Sequence, residues 1–155
     1  MPSRLQAEIK QTRPFPRRSS EAVLSVLRTA ALVTHRTNEI LRPFGITEAQ
    51  YNVLRILRGA GPKGLCGREV SERLVTEVPD VSRLLARMEA MELLRSARDT
   101  TDRRQVLARI TPRGLRMLDA ATPKLEAFER DHFSDLDPER LQQVIDGLAE
   151  MRDAL

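Results

Sequence analysis

The stretch Arg95-Ser-Ala-Arg-Asp-Thr-Thr-Asp-Arg-Arg-Gln-Val-Leu-Ala-Arg-Ile-Thr-Pro-Arg-Gly114 decides how this 155-residue chain is read. It reads as two short strands joined by a polar tip and closed by a helix start at Thr111-Pro112. The second strand, Gln105 to Ile110, alternates imperfectly because Leu107 sits between Val106 and Ala108. Between Arg95 and Arg116 there are seven Arg and two Asp (Asp99 and Asp102), a local excess of +5 against +4 for the whole chain. A charge run commonly does no more than solvate a face. A charged hairpin set between helical segments instead suits contact with a polyanion.

Outward from that hairpin, the composition describes one globular domain with helical extensions. Hydrophobic residues make up 41% of the chain and charged residues 31%, so it has enough apolar surface for a core and is not a disordered polymer. No run approaches the roughly 18 apolar residues of a membrane span. The start Met1-Pro2-Ser3-Arg4 lacks a signal-peptide core. A single Cys cannot form an internal disulfide and fits a reducing cytoplasm. The sequence pI near 10.0 comes from Arg, since Lys10, Lys63 and Lys124 are the only Lys, and Arg favours bidentate phosphate and guanine contacts. Charge is also uneven: residues 117–155 carry ten acidic groups against four basic ones.

Periodicity and capping signals divide the chain. Residues 1–18, with Pro2, Pro14 and Pro16, read as an extended arm. Residues 19–43 read as a long helix with Val23, Leu27, Ala30, Ala31, Ile40 and Leu41 at helical spacing, ended by Pro43 and Gly45. Thr47-Glu48-Ala49-Gln50 is a capping box flanked by Ile46 and Tyr51 at the staple positions, opening a second helix through about Leu57. A loop with Gly59, Gly61, Pro62 and Gly64 precedes a short third helix with Val70 and Leu74 inward. Cys66 occupies its cap position and Glu69 follows three residues on.

A fourth helix is expected from about Pro79 to Met91. At roughly 100° per residue, Val81, Leu84, Leu85 and Met88 gather on one side. Pro79, Ser82, Arg83, Ala86 and Ala90 gather on the other, with Arg87 at its edge. Small residues permit close approach to a groove, and Arg reaches base edges or phosphates. After the hairpin, Thr111 caps a fifth helix with Pro112 at its first position, striped by Leu115, Leu118, Leu125 and Phe128. Asp137-Pro138 starts a sixth with Leu141, Val144, Ile145, Leu148 and Met151. The expected fold is therefore mainly α with a small β-hairpin: a winged helix-turn-helix over 44–111, flanked by helices at 19–43 and 112–155. Surplus apolar stripes at both chain ends favour dimerisation; the alternative is a monomeric bundle that packs them internally.

The chain resembles the MarR (multiple antibiotic resistance regulator) family of transcription factors. The likeness is sharpest over Val81-Ser-Arg-Leu-Leu-Ala-Arg-Met-Glu89 and Asp102-Arg-Arg-Gln-Val-Leu-Ala-Arg-Ile-Thr-Pro-Arg-Gly114. The latter is similar to the family's Asp-x-Arg wing signature running into Leu-Thr-x-x-Gly, with Ile110 in place of Leu. Phe44-Gly-Ile-Thr-Glu-Ala-Gln-Tyr-Asn-Val-Leu54 looks like the family's second-helix start. The resemblance covers roughly Ser19 to the C-terminus. Two features depart from it. Glu92 stands where the family usually has a Gly with a left-handed cap, which points to a different helix end. The approach to the recognition helix, with Thr76, Glu77 and Pro79, is also unusual.

The resemblance implies a sequence-specific reader of double-stranded DNA, a dimeric cytoplasmic repressor acting on a pseudo-palindromic operator. It implies release by a small anionic or aromatic effector, with no cofactor or metal. The fourth helix would enter the major groove, with Arg83 on a base or adjacent phosphate, Arg87 on phosphate and Ser82 on the same face. In the wing, Arg104 would reach the minor groove, Asp102 would hold Arg104 across the tip, and Arg98 and Arg103 would grip phosphate. An effector site lined by His35, Arg36 and Tyr51 competes with surface or core roles for each. A redox role for Cys66 and an interaction module without DNA binding are the alternatives. Catalysis has little support, because neither His35 nor His132 has a partner in metal or triad spacing.

Overall fold

The computed structural model describes residues 3–155. Its helices are α1 (Arg4–Glu8), α2 (Arg18–Leu41), α3 (Glu48–Ala60), α4 (Gly67–Arg73), α5 (Val81–Ala90), α6 (Pro112–Phe133) and α7 (Pro138–Asp153), and its strands are β1 (Leu65–Cys66), β2 (Leu94–Arg98) and β3 (Val106–Ile110). The strands form one antiparallel sheet in the order β1-β3-β2. The mainly helical winged architecture is as the sequence predicts.

Local chemistry sets most boundaries. Thr47 accepts from the Gln50 N–H while the Gln50 side chain accepts from the Thr47 N–H at 2.9 Å, closing the capping box of α3. Ile46 and Tyr51, on either side of that box, are both buried. Thr111 and Asp137 likewise cap α6 and α7, each with Pro in the first turn.

The winged unit closes around Val53, Leu54, Leu57, Val70 and Met88, all at 0% exposure, with Leu93 and Leu94 from the sheet side. Full burial of each such side chain contributes roughly 1.5–3 kcal/mol. The Tyr51 hydroxyl joins this unit to α6, lying 3.0 Å from Thr122 Oγ1, whose own hydroxyl donates to the Leu118 carbonyl at 2.8 Å.

Four expectations are corrected. The arm is not wholly extended: Ser3 and Gln6 form a capping box that starts α1, and Leu5 and Gln6 are buried. The fourth helix begins at Val81 rather than Pro79, because the Asp80 carboxylate accepts the Arg83 N–H at 2.8 Å and so fixes the cap. The hairpin is two strands of a three-stranded sheet, with Leu65 and Cys66 paired to Ala108 and Leu107.

The end of α5 keeps the left-handed geometry despite lacking Gly. Glu92 sits at φ 59°, its N–H donates to the Glu89 carbonyl at 2.8 Å, and the Leu93 N–H donates to the Met88 carbonyl at 3.0 Å. This is the paired-bond Schellman pattern, with Leu93 and Met88 buried together beneath it. A non-glycine residue there costs about 1–2 kcal/mol. Contacts to the start of α6 offset it: the Thr111 hydroxyl donates to the Glu92 carbonyl at 2.6 Å, and Arg113 pairs with the Glu92 carboxylate at 2.8 Å. Gly114 completes the junction, since a Cβ there would collide with the Leu93 carbonyl and approach Ile110 Cγ1 to 2.8 Å.

Candidate nucleic-acid interface

Helix α5 presents Ser82, Arg83, Ala86, Arg87 and Ala90 to solvent while Leu84 and Met88 are buried. Its opposite end is tied to the sheet, because the Glu89 carboxylate accepts the Ser96 N–H of β2 at 2.7 Å. Helix and wing are thus held as one unit by Glu89 and by the Glu92 junction. Neither contact was anticipated from the sequence, since each joins residues whose proximity is set by the fold.

The wing tip is ordered by carboxylates acting on backbone. Asp102 accepts the Arg104 N–H at 3.1 Å and the Gln105 side-chain amide at 3.4 Å, and Asp99 accepts the Thr101 N–H at 3.3 Å. Asp102 therefore holds the main chain at Arg104, not the Arg104 guanidinium as the resemblance implied. The guanidinium stays exposed and without an acidic partner among the described residues.

The seven Arg between Arg95 and Arg116 divide into two sets. Arg109 donates to the Pro62 carbonyl at 2.7 Å and Arg113 is paired with Glu92, so both are structural. Arg95, Arg98, Arg103, Arg104 and Arg116 are exposed and make no ion pair within the described residues, and the same holds for Arg83 and Arg87. Like charges even face each other: Arg83 and Arg87 are one helical turn apart, and Arg95 lies directly across from Arg109. Both arrangements are mildly destabilising in the free protein. A polyanion would relieve them.

Cys66 N-caps α4 and pairs with Leu107, and its N–H donates to Glu69 at 2.9 Å. That bond, followed by the bond from the Cys66 side chain, holds the Glu69 carboxyl below the usual carboxylate range. His35 and Arg36 lie on the exposed surface around Glu39, with Arg36 Nη1 2.9 Å from its carboxylate. That hydrogen bond chiefly lowers the Glu39 pKa.

A second concave feature lies between α2, α3, α6 and α7, a cleft of about 950 Å³. Val26, Val33, Phe128 and Leu148 give it an apolar lining, and Tyr51, Asn52, Glu48, Arg55 and Arg152 add polar groups. Of the three residues considered for an effector site, only Tyr51 borders it. Burial raises the Glu48 carboxyl above the ordinary glutamate range.

The sequence profile of the MarR family matches residues 44–105, the span from the start of α3 through the wing tip. The helix-turn-helix-type transcriptional regulator YwoH of Bacillus subtilis is 30% identical over 108 residues, covering 70% of this chain and 77% of YwoH. The chain belongs to the MarR family. It is a MarR-family transcriptional regulator, and its fold is that of solved relatives. AbsC, a MarR family transcriptional regulator from Streptomyces coelicolor, is 27% identical with a TM-score of 0.77, the match covering 92% of this chain and 97% of AbsC. CouR from Rhodococcus jostii, solved with p-coumaroyl-CoA, shares the fold at 23% identity and a TM-score of 0.73, over 88% of this chain and 95% of CouR. CouR, a transcriptional repressor, has also been solved on a 23-mer DNA duplex. As in the sequence reading, no described helix of this MarR-family chain is long and apolar enough to cross a membrane.

Proposed function

We propose that this MarR-family regulator is a cytoplasmic, dimeric repressor that reads a pseudo-palindromic site in double-stranded DNA and releases it on binding a small effector. The exposed Arg set on α5 and the wing, without acidic partners among the described residues and held in a single unit, is the observation behind this function. Arg83 contacts a base or its neighbouring phosphate, Arg87 a phosphate, and Ser82 approaches the groove floor beside them. Arg104 enters the minor groove, with Asp102 fixing its backbone, while Arg98 and Arg103 grip flanking phosphates. A module built only for protein contact has no use for such a charge set.

Residues 44–111 are the reading unit, and residues 19–43 and 112–155 supply the dimer helices. The exposed apolar stripes of α2 and α7, including Leu27 at 60% and Ile145 at 56%, support that assignment. The cleft beside them lies within the roughly 300–1,000 Å³ of small-molecule sites. Arg55 and Arg152 with Phe128 fit an anionic, aromatic effector, and CouR was solved with an anionic aromatic thioester.

Selection of bound fragments from random duplexes tests the reading. The expected product is a pseudo-palindrome with half-sites about 10 base pairs apart. Recovery of no enriched sequence would contradict it.

A further inference from the structure

The segment Leu74–Asp80 connects α4 to the cap of the recognition helix α5. Leu74 and Val78 pack against the core, while Val75, Thr76 and Glu77 are exposed, Val75 at 82%. Among the described residues, a single hydrogen bond holds the N–H groups from Val75 to Val78: the Val75 N–H donates to Asn52 Oδ1 of α3 at 3.0 Å. That assignment orients the amide of Asn52, whose NH₂ group then has no partner among the described residues. Asn52, Val75 and Thr76 all border the 950 Å³ cleft. Asp80, five residues beyond Val75, caps α5 through the Arg83 N–H, and Arg83 is one of the proposed DNA contacts.

From this placement we infer that Asn52 is the positioning residue through which occupancy of the cleft is relayed to the recognition helix. The inference rests on the DNA and effector reading above and deepens it. The Asn52 carbonyl holds the segment that leads into α5, and its free NH₂ is open to an acceptor on a ligand in the cleft. A ligand that takes up this amide and displaces Val75 or Thr76 breaks the tether. The cap at Asp80 then shifts, and Arg83 and Arg87 leave their register on the duplex. Arg55, one helical turn from Asn52, and Arg152 are the cationic groups of the lining. Glu48, four residues before Asn52 on α3, and Glu129 of α6 are its acidic groups.

The test uses the full chain, a duplex carrying its selected site, and anilinonaphthalene sulfonate, an aromatic anion that fluoresces in apolar surroundings, as the cleft probe. Asn52→Ala should speed exchange of the Val75 amide several-fold and weaken duplex binding about five-fold, the effect of one hydrogen bond. The probe should lower duplex affinity of the wild type and have little further effect on Asn52→Ala, although it still binds that variant. Asn52→Asp keeps the acceptor and should restore both Val75 protection and duplex affinity. Wild-type exchange, affinity and probe response in Asn52→Ala would overturn the relay. So would a wild-type complex indifferent to bound probe, with the DNA reading left intact. Failure of the wild type to bind any duplex would instead overturn the DNA reading, and Val75 exchange would still judge the tether.

Discussion

The winged unit and the helices α2 and α7 handle their apolar residues in opposite ways. In the winged unit Leu54, Leu57 and Met88 are at 0% exposure, whereas α2 buries only Leu41 and α7 buries nothing. Leu27, Val144 and Ile145 stand at 56–60% on those two helices. The closed core also takes in Leu41 of α2 and Leu118, Ala121 and Leu125 of α6. An exposed apolar stripe is the kind of surface that marks an interaction site. The contrast separates two tasks: the winged unit keeps α5 and the wing in a fixed mutual geometry, and in the proposed dimer the terminal helices set where that unit stands relative to a partner copy.

The largest effects should come from breaking the closed side. Leu57→Ala leaves a cavity at a site with no exposure and should cost about 3 kcal/mol, read as a lower denaturant midpoint. Gly114→Ala should cost nearly as much, about 2 kcal/mol, because the added Cβ meets the Leu93 carbonyl at the α5–α6 junction. On the open side, Leu27→Ser with Ile145→Ser should change the protomer's winged unit by less than about 0.5 kcal/mol. The same pair should convert a dimer to a monomer in sedimentation. A dimer that survives both changes would remove the proposed role of these stripes.

The smallest stability effect is one of pH, at the cleft between the two regions. Burial raises the Glu48 carboxyl, so the folded state binds its proton more tightly than the unfolded chain does. Stability from this group is fully present below the ordinary glutamate pKa and is lost as pH rises through the raised one. Glu48→Gln should therefore flatten the decline in stability from about pH 4 upward, measured by denaturant midpoints across that range. An unchanged decline would place the titration elsewhere.

Features written in consecutive residues were legible in the sequence. Thr47 with Gln50, Thr111 with Pro112, and Asp137 with Pro138 announce helix starts because the cap and its target lie within one turn. The hairpin was legible because its charge, tip and following cap are contiguous. Long-range features were not. β1 is two residues whose strand character exists only through pairing with Leu107 and Ala108. The structural duties of Arg109 and Arg113 depend on Pro62 and Glu92, 47 and 21 residues away, so a local charge sum overstates the cations left for a ligand. Glu92 looked like a break with the left-handed cap, yet it adopts that geometry because Thr111 and Arg113 hold it there. The α1 signal at Ser3 and Gln6 is local, but a five-residue helix is too short for periodicity to reveal.

In the proposed complex the free Arg residues of α5 and the wing meet phosphates and a groove. The most direct measurement is duplex affinity as a function of salt, for the wild type and for Arg104→Ala. Arg104 is exposed and lacks an ion-pair partner among the described residues, so its loss should leave stability within about 0.5 kcal/mol. For the wild type, log affinity should fall linearly with log salt. Arg104→Ala should bind all sequences more weakly, with a slope smaller by about one. A wild-type affinity indifferent to salt, or an Arg104→Ala slope equal to the wild type's, would contradict it.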